Sequence, residues 1–235
     1  MSRKEAVCLR LPKLDERLQA ACDLFPQCCL GADIGTDHGR LPLTLLAEDR
    51  CERMIVADIS LPALSKAKEL LTLHALDHRA AFIQADGLSA LQAPVQAISL
   101  MGMGGDTMSD ILLAAPSKLQ GAALILSPHT EIHKVREVLP RIGYMITNEI
   151  IARSGGRFYV IIKALPGQAE YTEKDLLLGP CLVRERPLHY TEYLLWRQRV
   201  AQKALKALKH SDGTAPAAPQ WFRLNDYIRE ELQCS

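Results

Sequence analysis

No apolar run in this chain of 235 residues approaches the roughly 20 needed to cross a bilayer, and the opening Met1-Ser-Arg-Lys-Glu5 has no apolar core of a signal peptide. A membrane protein and a secreted one are set aside, and a cytoplasmic location is expected. The seven cysteines are odd in number, scattered and never spaced C-x-x-C. That pattern excludes a disulfide framework and a zinc site, so the thiols read as reduced packing residues. The histidines show no ligand spacing with carboxylates or thiolates, and no metal is assigned. Aromatic residues make up only 5% of a chain that is 48% hydrophobic, and the net charge is +1. A chain of this size buries one sizeable core plus an appendage, so a large and a small domain are expected.

The strict dinucleotide fingerprint G-x-G-x-x-G is also missing. In its place stands Cys29-Leu-Gly-Ala-Asp-Ile-Gly-Thr-Asp-His-Gly-Arg-Leu-Pro42, a strand that ends in an acidic, glycine-punctuated turn and opens a helix. The glycines fall at Gly31, Gly35 and Gly39, and the carboxylate of Asp33 precedes the turn. A phosphate seeks bare backbone N–H groups, whereas Asp33 and Asp37 place negative charge there. A cationic ligand fits better. S-adenosylmethionine, with a sulfonium and an amino group, suits the turn better than NAD, and Asp33, Gly35 and Thr36 are its expected contacts.

Apolar runs at Met54–Ala57, Ala81–Ile83, Ala97–Met101 and Ala122–Leu126 alternate with helical patterns, the signature of βα units around a parallel sheet. The pattern then breaks. Tyr144–Ala152 and Phe158–Ala164 are joined only by Arg153-Ser-Gly-Gly-Arg157, too short for a crossover helix, so these two strands must pair antiparallel. A parallel sheet finished by an antiparallel hairpin is the layout of a Rossmann-like class I methyltransferase. Leu11, Leu14, Leu18, Ala21 and Phe25 mark a leading amphipathic helix before the first strand.

Ligands of open α/β sheets sit at the carboxyl ends of the strands. Asp58 follows the second run and is placed to accept from ribose hydroxyls, with Ile59 beside it; helix capping near Leu61 is the competing use. Asp86 and Gly87 follow the third run, where they face the adenine ring unless they form a plain turn. The fourth run ends in Gly102-Met-Gly-Gly-Asp106. Three glycines in four residues keep backbone close to something, here the cofactor, so Gly102, Met103, Gly104 and Gly105 are expected contacts. Enzymes that methylate exocyclic amines on nucleic acid carry an Asn/Asp-Pro-Pro-aromatic turn at this place, and this chain has none.

Beyond Leu165-Pro-Gly-Gln168 the composition turns basic. From Lys174 to His210 there are eight lysines and arginines against three acidic residues. Tyr193, Trp196, Val200, Ala204 and Leu208 recur at three- and four-residue steps, which predicts an amphipathic helix with a basic outer face for a polyanion or for solvent alone. Asp212-Gly-Thr-Ala-Pro-Ala-Ala-Pro219 separates it from a final short helix at about Phe222–Leu232. The expected domains are 1–166, the cofactor-binding part, and 167–235, a helical coiled-coil-like part.

These residues resemble a known family, the bacterial tRNA adenine-22 N1-methyltransferases. The resemblance rests on Arg17-Leu18, Ala32-Asp-Ile-Gly-Thr-Asp-His38 with Leu41-Pro42, Asp86-Gly-Leu88, Gly102-Met-Gly-Gly105, Asp110-Ile-Leu112, Tyr159 and Leu178-Gly-Pro180. It implies methyl transfer from S-adenosylmethionine to N1 of an adenine in the D-arm of tRNA. Gly39-Arg40 and His129 depart from the family pattern and receive no role by resemblance. In-plane attack by adenine N1 on an activated methyl needs mainly alignment, which supplies roughly 7–11 kcal/mol in well-oriented systems. Asp106, Asp37 or His38 would accept from the adenine amino group as the ring gains charge. The target edge must be exposed at a cost of a few kcal/mol, offset by phosphate contacts from the tail and from Arg3, Lys4, Arg10 and Lys13.

Three rivals stay open. A class I methyltransferase for another RNA, a small molecule or a protein would need no basic tail. A nicotinamide oxidoreductase would bind NADH, and a non-enzymatic RNA-binding module would bind no S-adenosylhomocysteine. The sequence sets no oligomeric state beyond a default monomer.

Overall fold

A computed structural model describes residues 10–209 and 218–233. Arg3, Lys4 and most of the Asp212–Pro219 stretch lie outside the described residues.

The sheet has seven strands: β1 (Cys28–Ile34), β2 (Cys51–Asp58), β3 (Ala80–Gln84), β4 (Ala97–Met101), β5 (Ala123–Ser127), β6 (Tyr144–Ser154) and β7 (Arg157–Pro166). Their order is β3-β2-β1-β4-β5-β7-β6. The first five run parallel, while β7 pairs antiparallel with both β5 and β6. The short Gly155-Gly156 connection enforces this reversal, as its length predicts. The order switches direction between β1 and β4, where a parallel sheet opens a crevice.

Strand alternation sends neighbouring side chains to opposite layers. Val56, Ile125 and Ile161 face one core with α1 (Glu16–Leu24), α2 (Arg40–Ala47) and α3 (Leu61–Leu73). Ile55, Leu124 and Ile162 face the other with α4 (Gly105–Ala114) and α5 (Ile132–Arg141). Burial on both faces is what such apolar runs require.

The leading helix is shorter than its apolar spacing predicts. Asp15 accepts the Leu18 N–H at 2.8 Å and so caps the helix at Glu16; Leu11 and Leu14 pack on the core from the chain ahead of the helix. At α3 the cap is Ser60, which receives the Ala63 N–H, and not Asp58.

The C-terminal part comprises α6 (Glu173–Leu178), α7 (Pro180–Glu185), α8 (Tyr190–Lys209) and α9 (Ala218–Gln233). A reciprocal Thr172–Asp175 capping box starts α6. Leu178, Leu182, Tyr193 and Leu194 join the same apolar cluster as Val135 and Ile162, so these helices lie directly on the sheet layer. The buried stripe of α8 runs through Tyr190, Tyr193, Leu194 and Ala201, while Val200, expected on the apolar face, is 39% exposed. The seam is rotated because the aromatic rings at Tyr193 and Trp196 turn toward Phe158. The final helix is longer than expected, beginning at Ala218 and leaving Phe222 exposed.

Candidate active site

At the β1/β4 switch a cavity of about 600 Å³ opens. Of the residues singled out from sequence, Asp33, Gly35, Thr36, Asp37, His38, Gly102 and Met103 line it. Asp33, next to last in β1, is 2% exposed, and its Oδ1 accepts the Ser99 hydroxyl at 2.7 Å. Burial raises its pKa above the usual carboxylate range, against the lowering influence of the Ser99 and Thr36 hydroxyls. No basic side chain forms an ion pair with it among the described residues. The nearby charge of Arg17 lowers the Asp33 pKa and that of Asp58 raises it, but the hydrogen-bond partner of the carboxyl is a neutral hydroxyl, so a cationic ligand in the cavity would find it without a direct ion pair.

The backbone turns sharply after Asp33. Gly35 adopts φ +77°, and a β-carbon there would stand 3.0 Å from Met103 Cε at the cavity wall. Gly35 and Thr36 donate their N–H groups to Ala57 O, tying the turn to β2. Asp37 lies in the left-handed region at φ 54°, and its carboxylate contacts His38 Nδ1 at 2.8 Å. Both side chains are largely exposed.

Asp58 does not line the cavity but holds its rim together. Its Oδ2 accepts the Asp37 N–H at 3.2 Å and its Oδ1 accepts the Ser60 N–H at 2.8 Å. Each carboxylate oxygen keeps a second lone pair for a hydroxyl donor. Ile59 is exposed beside it, and Asp86 and Gly87 follow the end of β3, where a β-carbon on Gly87 would stand 3.1 Å from Ile111 of α4.

The glycine loop divides its work. Gly102 and Met103 face the cavity. Gly105 instead serves close packing, since a β-carbon there would lie 2.4 Å from Glu131 O and 2.5 Å from Thr130 O. Gly104 is less confined: a β-carbon there would lie 3.2 Å from the Thr130 hydroxyl. Asp106 is turned from the cavity toward α5, where it pairs with Lys134. The structure thus gathers the first turn and half of the loop, and leaves Asp106, Gly104 and Gly105 at the α4–α5 contact.

Sequence reasoning gave no role to one wall. Asp15, Arg17, Arg40 and His129 line the cavity. Arg17 approaches His129 Nε2 at 3.5 Å and lies over the Tyr159 ring at 5.5 Å, while the His129 and Tyr159 rings stand 5.2 Å apart. Burial, with Arg17 and Arg157 adding repulsion, lowers the His129 pKa and keeps the ring neutral near pH 7. His129 follows the carboxyl end of β5, so the rule that selects strand ends would have found it. Arg17 arrives from α1, 112 positions away in sequence, and no local signal marks it.

On the C-terminal helices, Lys174, Arg184 and Arg186 pair with Glu231 or Glu185. Arg197 donates to Leu177 O and covers the Tyr193 ring at 5.7 Å. Arg199, Lys203 and Lys206 are exposed and form no ion pair among the described residues. No group of three or more His, Cys, Asp or Glu side chains is placed to hold a metal ion among the described residues, and no helix there is long and apolar enough to cross a membrane.

Comparison with known proteins gives a consistent picture. The model of the family described as tRNA (adenine(22)-N(1))-methyltransferase matches residues 31–226. The tRNA (adenine(22)-N(1))-methyltransferase of Bacillus subtilis (strain 168) is 30% identical over 182 residues, 74% of this chain and 76% of that protein. The crystal structure of the B. subtilis tRNA methyltransferase TrmK superposes with a TM-score of 0.82 at 25% identity, covering 95% of this chain and 100% of the other. M. capricolum TrmK, solved with the cofactor product S-adenosyl-homocysteine, superposes with a TM-score of 0.79 at 20% identity, over 94% of this chain and 98% of that one.

Proposed function

The chain belongs to the tRNA (adenine(22)-N(1))-methyltransferase family, and we propose that the cavity at the β1/β4 switch holds S-adenosylmethionine for methyl transfer to N1 of adenine 22 in tRNA. The observation that carries this reading is Asp33, a buried carboxyl that lines the cavity and forms no direct ion pair among the described residues.

When bound, S-adenosylmethionine supplies a methyl group on a positively charged sulfur, which a ring nitrogen with an in-plane lone pair displaces without help from a protein nucleophile. The chain's own residues bind and align. Asp33 favours positive charge and becomes fully ionised when it meets it. The Gly35–Thr36 turn lets backbone approach the ligand, and Asp58, anchored by two N–H groups, offers its free lone pairs to ribose hydroxyls. Asp86 and Gly87 serve the adenine end. Arg17, neutral His129 and Tyr159 form a polar edge beside Gly102 against which the target base lies, with Asp37 and His38 as acceptors for its amino group. Asp106, held by Lys134, fixes the loop that carries Gly102 and Met103.

Exposed Arg199, Lys203 and Lys206 supply phosphate contacts, which read tRNA by shape. Residues 1–166 form the cofactor part and residues 167–235 the RNA-binding part of a cytoplasmic enzyme.

Titration with S-adenosylmethionine, S-adenosylhomocysteine and NADH tests the reading. Binding of the first two and not of NADH is expected; binding of NADH alone overturns it.

A further inference from the structure

A second cavity of about 250 Å³ lies beyond His129, between α8, α9 and the loop from β5 to α5. His129 lines both this cavity and the first one. Its walls carry Phe158, Tyr193, Trp196 and Trp221. Phe158 and Trp196 stand 5.8 Å apart, and Tyr193 and Trp196 are stacked at 6.1 Å. No other region of the described residues gathers so many aromatic rings in a chain that is only 5% aromatic. His133 and Glu131 bring polar atoms to the rim, 3.6 Å from each other. Burial keeps His133 neutral, so its ring both donates and accepts.

From this juxtaposition we infer that the second cavity receives an unpaired nucleobase of the RNA substrate next to the target base, stacked on the aromatic wall and hydrogen-bonded at the His133 rim. The inference rests on the RNA methyl-transfer reading above. Two observations select a nucleobase over a plain apolar group. The cavity adjoins the methyl-transfer site, with His129 lining both, and two neighbouring sites of this kind suit two successive nucleotides when one is turned out of its stack. The helix that lines it also carries Arg199 and Lys203, exposed and without acidic partners, where a phosphate chain would leave the cavity. Aromatic side chains stack any base face, whereas polar atoms at a rim read its edge. The cavity thus holds open the strand beside the target and offsets part of the cost of exposing it.

The test uses the full chain and unmodified tRNA transcripts that carry 2-aminopurine on either side of the target adenine. Wild-type protein is expected to quench the probe on one side as it stacks. Val200→Trp, at a partly exposed position on the cavity wall, fills the space; Gln220→Trp fills it from α9. Each is expected to abolish the quenching and lower kcat/KM for tRNA about tenfold, with S-adenosylhomocysteine affinity and melting temperature unchanged. Wild-type quenching and methylation rates retained by both filled variants would overturn the inference. A wild-type protein that methylates no tRNA would instead overturn the reading beneath it.

Discussion

Arg136 donates from Nε to Glu149 Oε1 at 2.8 Å, and neither side chain is exposed at all. The pair joins α5 to β6, and both partners then reach into the helical part. Arg136 donates to Leu176 O at 2.9 Å, satisfying the end of α6, while Glu149 Oε2 accepts the N–H groups of Cys181 and Leu182 at the start of α7. Charge thus meets the complementary ends of two helices. Gly179, between them at φ +109°, leaves the room: a β-carbon there would lie 2.6 Å from Arg136 Nη2. The position of α6 and α7 against α5 and β6 is set here.

Breaking this pair is therefore expected to be costly. Glu149→Ala leaves a buried guanidinium unpaired and should destabilise the fold by about 3–5 kcal/mol in denaturant unfolding. Gly179→Ala should destabilise as well, through φ strain and the lost contact. A neutral outcome for both would remove the pair from the account.

Replacing Asp33 by Asn separates stability from binding. The folded pKa of Asp33 lies above its ordinary value of 3.8, so the native state retains a proton the unfolded chain has lost, and stability falls as pH rises toward the folded pKa. Asp33→Asn keeps an acceptor for Ser99 and removes this cost. Its melting temperature at neutral pH should match or exceed that of the wild type, while S-adenosylmethionine affinity falls by tenfold or more. For wild-type protein, a cationic ligand lowers the Asp33 pKa, so affinity should rise with pH up to the folded value and then level. Uncharged-sulfur S-adenosylhomocysteine should show a weaker slope. Both are read by calorimetric titration.

The glycine loop gives a contrast. Gly105→Ala meets carbonyl oxygens that cannot move freely and should lower the melting temperature. Gly35→Ala meets only the flexible end of Met103 but at positive φ, so it should chiefly weaken cofactor binding.

Charge reversal at Arg199 and Lys203 should weaken tRNA binding and flatten its salt dependence, with S-adenosylhomocysteine affinity unchanged, as read by filter binding across salt concentrations. The same change at Arg197 should also lower stability, because that side chain holds Leu177 O.

Much of this architecture is legible in the chain. The βα rhythm and the short Arg153–Arg157 connection give the parallel sheet and its antiparallel end, because both follow from local period and loop length. The acidic turn from Asp33 to His38 is equally local. What the sequence hides is lateral. Arg17 and His129 meet from distant segments, and the Phe158 to Trp221 cavity forms only when α8 and α9 pack on the hairpin. Asp106 shows the converse: proximity to the glycine loop in sequence suggests a cavity residue, but the helix phase of α4 turns it to Lys134.

The most direct measurement is nucleoside mapping of unmodified tRNA after incubation with this protein and S-adenosylmethionine, with Asp33→Asn alongside. The account predicts 1-methyladenosine at position 22 with wild-type protein and a strongly reduced yield with the variant. Methyl groups found on another atom, or tRNA left unmodified while the donor binds normally, would contradict it.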